Sequence, residues 1–117
     1  MGDIFKRPKV LHGTTVKVKY SEEVTIYIVL NHCELETLRE VFLYTHSIKA
    51  SECEAFGRLI STSLKHGVSP EKIVQQLKGI GGAPGEVSFM DGRKYKSIPD
   101  AIAQVIEDHL KTKGTKK

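Results

Sequence analysis

A chain of 117 residues is long enough for one domain whose core needs no metal or disulfide. We predict this domain over residues 1–110, followed by a basic, flexible tail over residues 111–117. The net charge is +4, and because part of the excess lies in the tail, charge argues only weakly for nucleic acid. The sequence has no apolar run of transmembrane length, no apolar signal region at its start and two widely separated cysteines. We therefore expect no membrane and a reduced, cytoplasmic protein.

Alternation of apolar and polar residues predicts two paired strands near the N-terminus. In residues 14–20, Val16 and Val18 point to one face of the first strand while Lys17 points to the other. Residues 24–30 are the most strand-like run in the chain. Apolar residues on both faces of this run suggest a central strand, and an exposed edge that pairs with another chain is the alternative.

Residues 31–38 are polar and are predicted to form a loop. A third strand is predicted over residues 39–45, where apolar residues alternate with aromatic ones. A helix over residues 35–44 is the competing prediction, because that run begins with good helix formers.

Two consecutive helices are predicted next. Ser51 is placed to cap the first helix, and Glu54 completes a capping box. Gly67 should end this helix in a left-handed conformation. The predicted apolar stripe consists of Cys53, Phe56, Leu59, Ile60 and Leu64.

The second helix is predicted to start at Ser69-Pro70, a cap followed by a proline at the first helical position. Its buried face is Ile73, Val74 and Leu77, and Gly79 should stop it. A small hairpin is predicted over residues 87–95 around the Asp91-Gly92 turn.

The last predicted helix is capped by Ser97, with Pro99 in its first turn and Asp100 at the capping-box position. Together the elements predict an α+β fold. It consists of an antiparallel sheet of about three strands with three helices packed on one face, and a small extra hairpin.

The glycine-rich segment 79–85 has two interpretations. Phosphate-binding loops lead from a strand into a helix N-terminus. Here the glycines follow a helix, so a helix stop and an irregular loop are favoured over a ligand loop.

Metal, catalytic and nucleic-acid sites are weakly indicated. Neighbouring His32 and Cys33 point to opposite sides of an extended chain, and Cys53 is expected in the core. Zinc ligands usually come in closely spaced pairs, and no serine lies in a nucleophile elbow, so we expect neither a metal site nor a catalytic residue. Without interleaved aromatic residues, the basic side chains favour a solvated surface over nucleic acid. These are Lys17, Lys19, Arg39, Arg58, Lys94 and Lys96.

Several runs of this sequence resemble the TSCPD domain family over residues 7–110. That domain occurs in the C-terminal region of adenosylcobalamin-dependent (class II) ribonucleotide reductases and as free-standing small proteins. The runs are Arg7-Pro8-Lys9-Val10-Leu11-His12-Gly13-Thr14, Gly57-Arg58-Leu59-Ile60-Ser61, His66-Gly67-Val68, Gln76-Leu77-Lys78-Gly79-Ile80-Gly81-Gly82 and Lys96-Ser97-Ile98-Pro99-Asp100-Ala101-Ile102-Ala103.

Two departures from the family pattern concern cysteine. The chain has Ile98 where the name motif has a cysteine, and Gly81 where many members carry another. The redox cysteine pair at the end of many such reductases has no counterpart, so a thiol-based metal or redox role is not expected. The radical-bearing barrel, with its cobalamin and substrate sites, is also absent from these 117 residues.

The resemblance implies an accessory domain or small subunit, non-catalytic by itself, that acts in deoxyribonucleotide synthesis. It would bind the reductase catalytic chain or a nucleotide-like ligand, and adenosylcobalamin only through that partner. The alternative is an independent small-ligand or nucleic-acid-binding module that shares only the fold. A metal-dependent enzyme is a third option, and a homo-oligomer is left open.

The motif at Ser97, Pro99 and Asp100 has a structural and a functional explanation. Caps alone account for these residue types at this spacing, without a ligand. In the functional explanation, the helix N-terminus and the glycine loop flank one small anionic pocket. The predicted ligand-binding residues are then Gly79, Gly81, Gly82, Ser97, Pro99 and Asp100.

Overall fold

The fold is a three-stranded antiparallel sheet with three helices and a separate two-stranded hairpin, which confirms the predicted α+β class. The computed structural model describes residues 6–33, 37–82, 87–90 and 92–115. In chain order the elements are β1 (His12–Lys19), β2 (Thr25–His32), β3 (Leu38–Tyr44), α1 (Ala50–Lys65), α2 (Pro70–Leu77), β4 (Ser88–Met90), β5 (Arg93–Tyr95) and α3 (Ile98–Thr115). None of the helices in these segments has both the length and the apolar character needed to cross a membrane.

The strand β2 lies in the centre of the sheet, between β1 and β3. Its predicted central position is confirmed, and the alternative of an exposed pairing edge is wrong. The strand also continues through Asn31 and His32, which we predicted in a loop, because Asn31 pairs with Gly13 on one side and Glu40 on the other. The third strand is confirmed and the competing helix is wrong, since residues 38–44 pair with β2.

The core lies between one face of the sheet and the helices. Ile26, Ile28 and Leu30 alternate along β2 and are fully buried, as the period of a strand requires. From α3, Ile102 and Ile106 are equally inaccessible to solvent. The central strand and the last helix therefore supply the largest apolar side chains of the core.

The thiol of Cys53 is also fully buried, which confirms its predicted place in the core. Burial, followed by the charge of Glu52, raises the pKa of this thiol, and the charge of Lys49 opposes the rise. The thiolate is therefore disfavoured, so Cys53 serves as a small apolar residue.

The helix α1 runs along the outer edge of β3. The Val41 N–H donates to Ser61 Oγ at 3.0 Å, and Ser61 Oγ donates to the Val41 carbonyl at 2.8 Å. This approach is close because Gly57 faces the strand: a Cβ at that position would lie 3.4 Å from Leu43 N. One hydroxyl thus satisfies backbone groups that an edge strand would otherwise expose.

The start and the stripe of α1 differ from prediction. The helix begins at Ala50 with Lys49 at the N-cap and no side-chain cap, so Ser51 lies inside the first turn and the predicted capping box is wrong. Glu54 instead pairs with Arg58 one turn later, at 2.5 Å. Leu59 is 68% exposed, because the buried stripe passes through Gly57 in its place.

The helix ends agree with the sequence. Gly67 has a φ of 92°, and the Gly67 and Val68 N–H groups donate to the carbonyls of Leu64 and Ser63, which is a Schellman motif. Ser69 then caps α2 by accepting a hydrogen bond from the Lys72 N–H. The last helix, α3, continues through Thr115, into the segment we predicted as a tail.

Candidate functional site

The Asp100 carboxylate joins the start of α3 to the end of α2. It is 4% exposed. Its Oδ1 accepts a hydrogen bond from the Gly79 N–H at 2.8 Å. Its Oδ2 accepts one from the Lys96 N–H at 2.9 Å and one from Gln104 Nε2 at 3.0 Å. A single side chain therefore satisfies donors from three parts of the chain.

These contacts fix the charge state of Asp100. Burial acts to raise the pKa of its carboxyl. The opposing effects are larger together, so the net shift of the pKa is downward; they are the hydrogen bonds from Lys96, Gly79 and Gln104 and the charge of Lys96. Hydrogen bonds to a carboxylate favour its ionised form. Asp100 is therefore a buried anion near neutral pH, held mainly by backbone amides.

Ser97 makes the second connection between the same two segments. Its Oγ accepts a hydrogen bond from the Asp100 N–H at 3.2 Å, which is the predicted cap of α3. The same hydroxyl donates to the Ile80 carbonyl at 2.6 Å. Gly79, with a φ of 84°, turns the chain out of α2 so that its N–H and the Ile80 carbonyl face these partners. We call these four residues, Gly79, Ile80, Ser97 and Asp100, the α2–α3 clamp.

Polar pairs nearer the surface reinforce the clamp. Lys78 Nζ lies 2.7 Å from Glu107 Oε1, and this hydrogen bond is the main cause that lowers the pKa of Glu107. Arg93 donates to Gln104 Oε1 at 2.8 Å and to Asp108, and the Asp108 bond raises the pKa of Arg93. Because these pairs are exposed, they add little stability. They connect α3 to the end of α2 through Lys78 and to β5 through Arg93.

The structure brings only part of the predicted site together. Gly79, Ser97 and Asp100 meet in the clamp, and Pro99 lies half-buried in the first turn of α3. Gly81 and Gly82 are exposed, and a Cβ at Gly81 would meet no atom within 4 Å. Residues 83–85 of the glycine-rich segment lie outside the described residues. The Gly79 and Lys96 amides bind the carboxylate of Asp100, and the Asp100 amide binds Ser97 Oγ. Ligand binding by the six predicted residues remains a prediction.

The N-terminal run of the sequence also has a structural explanation. Arg7 Nε lies 2.6 Å from Glu40 Oε2, and Asn31 Nδ2 donates to Glu40 Oε1 at 3.1 Å. The Asn31 side chain lies over Gly13, where a Cβ would be 2.0 Å from Asn31 Oδ1. Gly13 is thus required by the close contact of β1 with β2.

Sequence reasoning missed a group of residues on the uncovered face of the sheet. Register places Lys17, Tyr27 and Tyr44 in one row across the three strands, and places Phe42 beside Val29 in the next row. We call these five residues the aromatic face. Alternation within each strand showed which residues share a face, but only the pairing register shows that they are neighbours.

A groove of about 630 Å³ borders the aromatic face between β3 and α1. Phe42 and Tyr44 line one side, and Gly57 and Arg58 of α1 line the other. Within the described part of the chain, no group of three or more His, Cys, Asp or Glu residues is arranged to hold a metal ion.

Comparison with known protein families identifies the family of the chain. The model of the TSCPD domain matches residues 3–110, which is nearly the whole chain. The chain belongs to the TSCPD domain family. Searches of curated proteins and of solved structures gave no match.

The TSCPD domain family is associated with ribonucleotide reductases. In this TSCPD domain, the residue at the cysteine position of the name motif, Ile98, is 5% exposed and part of the core. The serine, proline and aspartate of the motif build the start of α3 and the clamp. The motif residues therefore have a direct role in holding this TSCPD domain together.

Proposed function

We propose that this TSCPD domain is a stand-alone accessory domain or small subunit that binds the catalytic chain of a class II ribonucleotide reductase. It is non-catalytic by itself, acts in the cytoplasm in deoxyribonucleotide synthesis, and meets adenosylcobalamin only through that chain. Family membership supports the association with reductases.

One observation supports a binding role over a catalytic one. The polar groups of Ser97 and Asp100 are occupied by hydrogen bonds within the clamp. A nucleophile or general base must reach a substrate, whereas these groups hold α2 against α3. The motif thus connects two helices, and recognition is left to the surface of the domain.

The exposed glycines Gly81 and Gly82 are our proposed contact for the reductase chain or for a nucleotide-like ligand. They directly follow Ile80 of the clamp, so they lie close to the end of α2 and the start of α3. The open space around Gly81 allows another backbone to approach closely.

A binding experiment with the intact chain tests the proposal. The tagged chain is mixed with a purified class II reductase catalytic chain, with and without nucleotides and adenosylcobalamin, and retention of the reductase is measured. Gly81→Trp should weaken retention without changing the unfolding temperature, because the side chain projects into open space. Ala55→Trp, an exposed position on α1, is the matched control. Failure of the wild-type chain to retain the reductase under any of these conditions would overturn the proposal.

A further inference from the structure

We propose that the aromatic face binds single-stranded nucleic acid. The face is formed by Lys17, Tyr27, Val29, Phe42 and Tyr44 on the side of the sheet opposite the core. This inference concerns the chain alone and does not depend on a reductase partner. The sequence favoured a solvated surface over nucleic acid and kept a nucleic-acid-binding module as the alternative; this inference takes up that alternative.

The first argument is geometric. Tyr27 pairs directly with Lys17 on one side and with Tyr44 on the other. Residues directly opposite each other in an antiparallel sheet have Cβ atoms about 5 Å apart. Two aromatic rings and an ammonium group are therefore carried side by side on adjacent strands, and Phe42 adds a third ring in the next row.

The second argument is exposure. Tyr27 is 39% exposed and Tyr44 is 59% exposed, although both lie in regular strands. Clusters of exposed aromatic side chains mark surfaces that bind a partner. Phe42 and Tyr44 also line the groove beside α1, so the surface continues from the sheet to Arg58.

Charge argues that the partner is an anion. Neither Lys17 nor its neighbour Lys19 forms an ion pair with another described residue. Two carboxylates of the described residues border the face, and each has a cationic partner: Glu40 is paired with Arg7, and Glu54 is paired with Arg58. The unpaired charge of Lys17 can contact the phosphates of a single-stranded nucleic acid, and the neighbouring aromatic rings can stack on its bases.

The shape of the face selects among anionic partners. A pocket for a small molecule encloses most of its ligand, whereas an open sheet face contacts a mononucleotide on one side only. A polymer gains several such contacts at once. A duplex hides its base faces inside the stack, so the rings could contact only its backbone. The structure therefore favours a single strand over a free nucleotide or a duplex.

The test is fluorescence anisotropy of labelled dT15 and U15 titrated with the purified chain at low salt. Tyr44→Ala and Tyr27→Ala should each weaken binding on the order of 5- to 150-fold, the effect of losing one base–aromatic stack. Lys17→Gln should lower the salt slope by about one. Phe89→Ala is the matched aromatic control, since Phe89 is 69% exposed on the hairpin, and Lys72→Gln on α2 is the matched charge control.

Four results would overturn the proposal. The first is no binding of either oligonucleotide. The second is equal binding of an acidic peptide of the same charge. The third and fourth are equal losses of binding in Phe89→Ala and in Lys72→Gln. Binding of either oligonucleotide with selective loss in the tyrosine variants supports it. Folding of each variant is checked by circular dichroism, and the exposure of these positions makes unfolding unexpected.

Discussion

Replacement of Asp100 by alanine should destabilise the domain by about 2–4 kcal/mol. The variant loses three hydrogen bonds to a charged acceptor, each of which contributes about 1.5–3 kcal/mol. The sum is reduced because Gly79 and Lys96 are exposed, so their N–H groups bind water once the carboxylate is gone. For a domain of this size we expect the Tm to fall by roughly 8–16 °C.

The assay is urea unfolding of the wild type, Asp100→Ala and Asp100→Asn, followed by circular dichroism. Asp100→Asn keeps the shape but turns an NH2 group toward one of the three donors, so it should lose about half as much. Asp108→Asn on the same helix is the control, because its pair with Arg93 is half-exposed and contributes less than about 1 kcal/mol. The urea concentration at the midpoint should fall, and the m-value, which is the dependence of the unfolding free energy on urea, should stay the same.

The same variants give a prediction for pH. Because the native pKa of Asp100 is lowered below its ordinary value of 3.8, its contribution is complete above that value and is lost as the pH falls through the native pKa. The stability difference between the wild type and Asp100→Asn should therefore be constant near neutral pH and shrink below about pH 4. A wild-type-like Asp100→Ala, or a difference that persists unchanged in acid, would refute the clamp.

Three further predictions concern close contacts in the fold. Gly13→Ala should cost about 1–3 kcal/mol in urea unfolding, because its Cβ would lie 2.9 Å from the Leu30 carbonyl oxygen of β2 as well as 2.0 Å from Asn31 Oδ1. Unchanged stability would contradict the register of β1. Ser61→Ala should cost about 1–2 kcal/mol and speed hydrogen exchange at the Val41 amide, which then lacks its partner; a protected amide in the variant would argue against the edge contact. The Cys53 thiol should react with a thiol reagent only when the chain unfolds, because it is fully buried and burial raises its pKa; labelling of Cys53 in the native state would contradict its place in the core.

The sequence was most informative where one local signal decides the structure. The strand β2, the cap at Ser69, the Schellman glycine Gly67 and the apolar face of α3 all follow from periodicity or capping rules. These signals depend only on residues a few positions apart, so the packing of distant segments does not change the local structure that they predict. The α+β class followed from their order along the chain.

The features that escaped prediction depend on contacts between distant segments. Ser51 was predicted to be the N-cap, yet the N-cap is Lys49, two residues earlier, and the Lys49 N–H donates to Ser47 Oγ. Leu59 looked like part of the apolar stripe, but the stripe runs through Gly57, which must be small to approach β3. The sequence predicted the helix α1 itself, but it did not show which strand the helix packs against.

The candidate site shows the same division. The capping role of Ser97 was predictable, because its spacing to Asp100 defines it. The Asp100 carboxylate accepts the Lys96 N–H, whereas a capping box would use the N–H of Ser97. The bonds of Asp100 to Gly79 and of Ser97 to Ile80 were not predictable, because about 20 positions separate the two segments. The aromatic face likewise required the register of three strands before Tyr27 and Tyr44 became neighbours.

The contact of α1 with the outer edge of β3 limits how copies of this domain can assemble. Val41 already has its outward N–H and carbonyl bound to Ser61, so a strand from a second chain finds no free hydrogen-bonding groups at this residue, and α1 occupies the space beside the strand. Of the two edges of the described three-stranded sheet, β1 is left for strand addition. Two copies joined through β1 would form one continuous six-stranded sheet closed by a helix at both ends. Growth by strand addition would then stop at a dimer, and a fibre would require α1 to detach first.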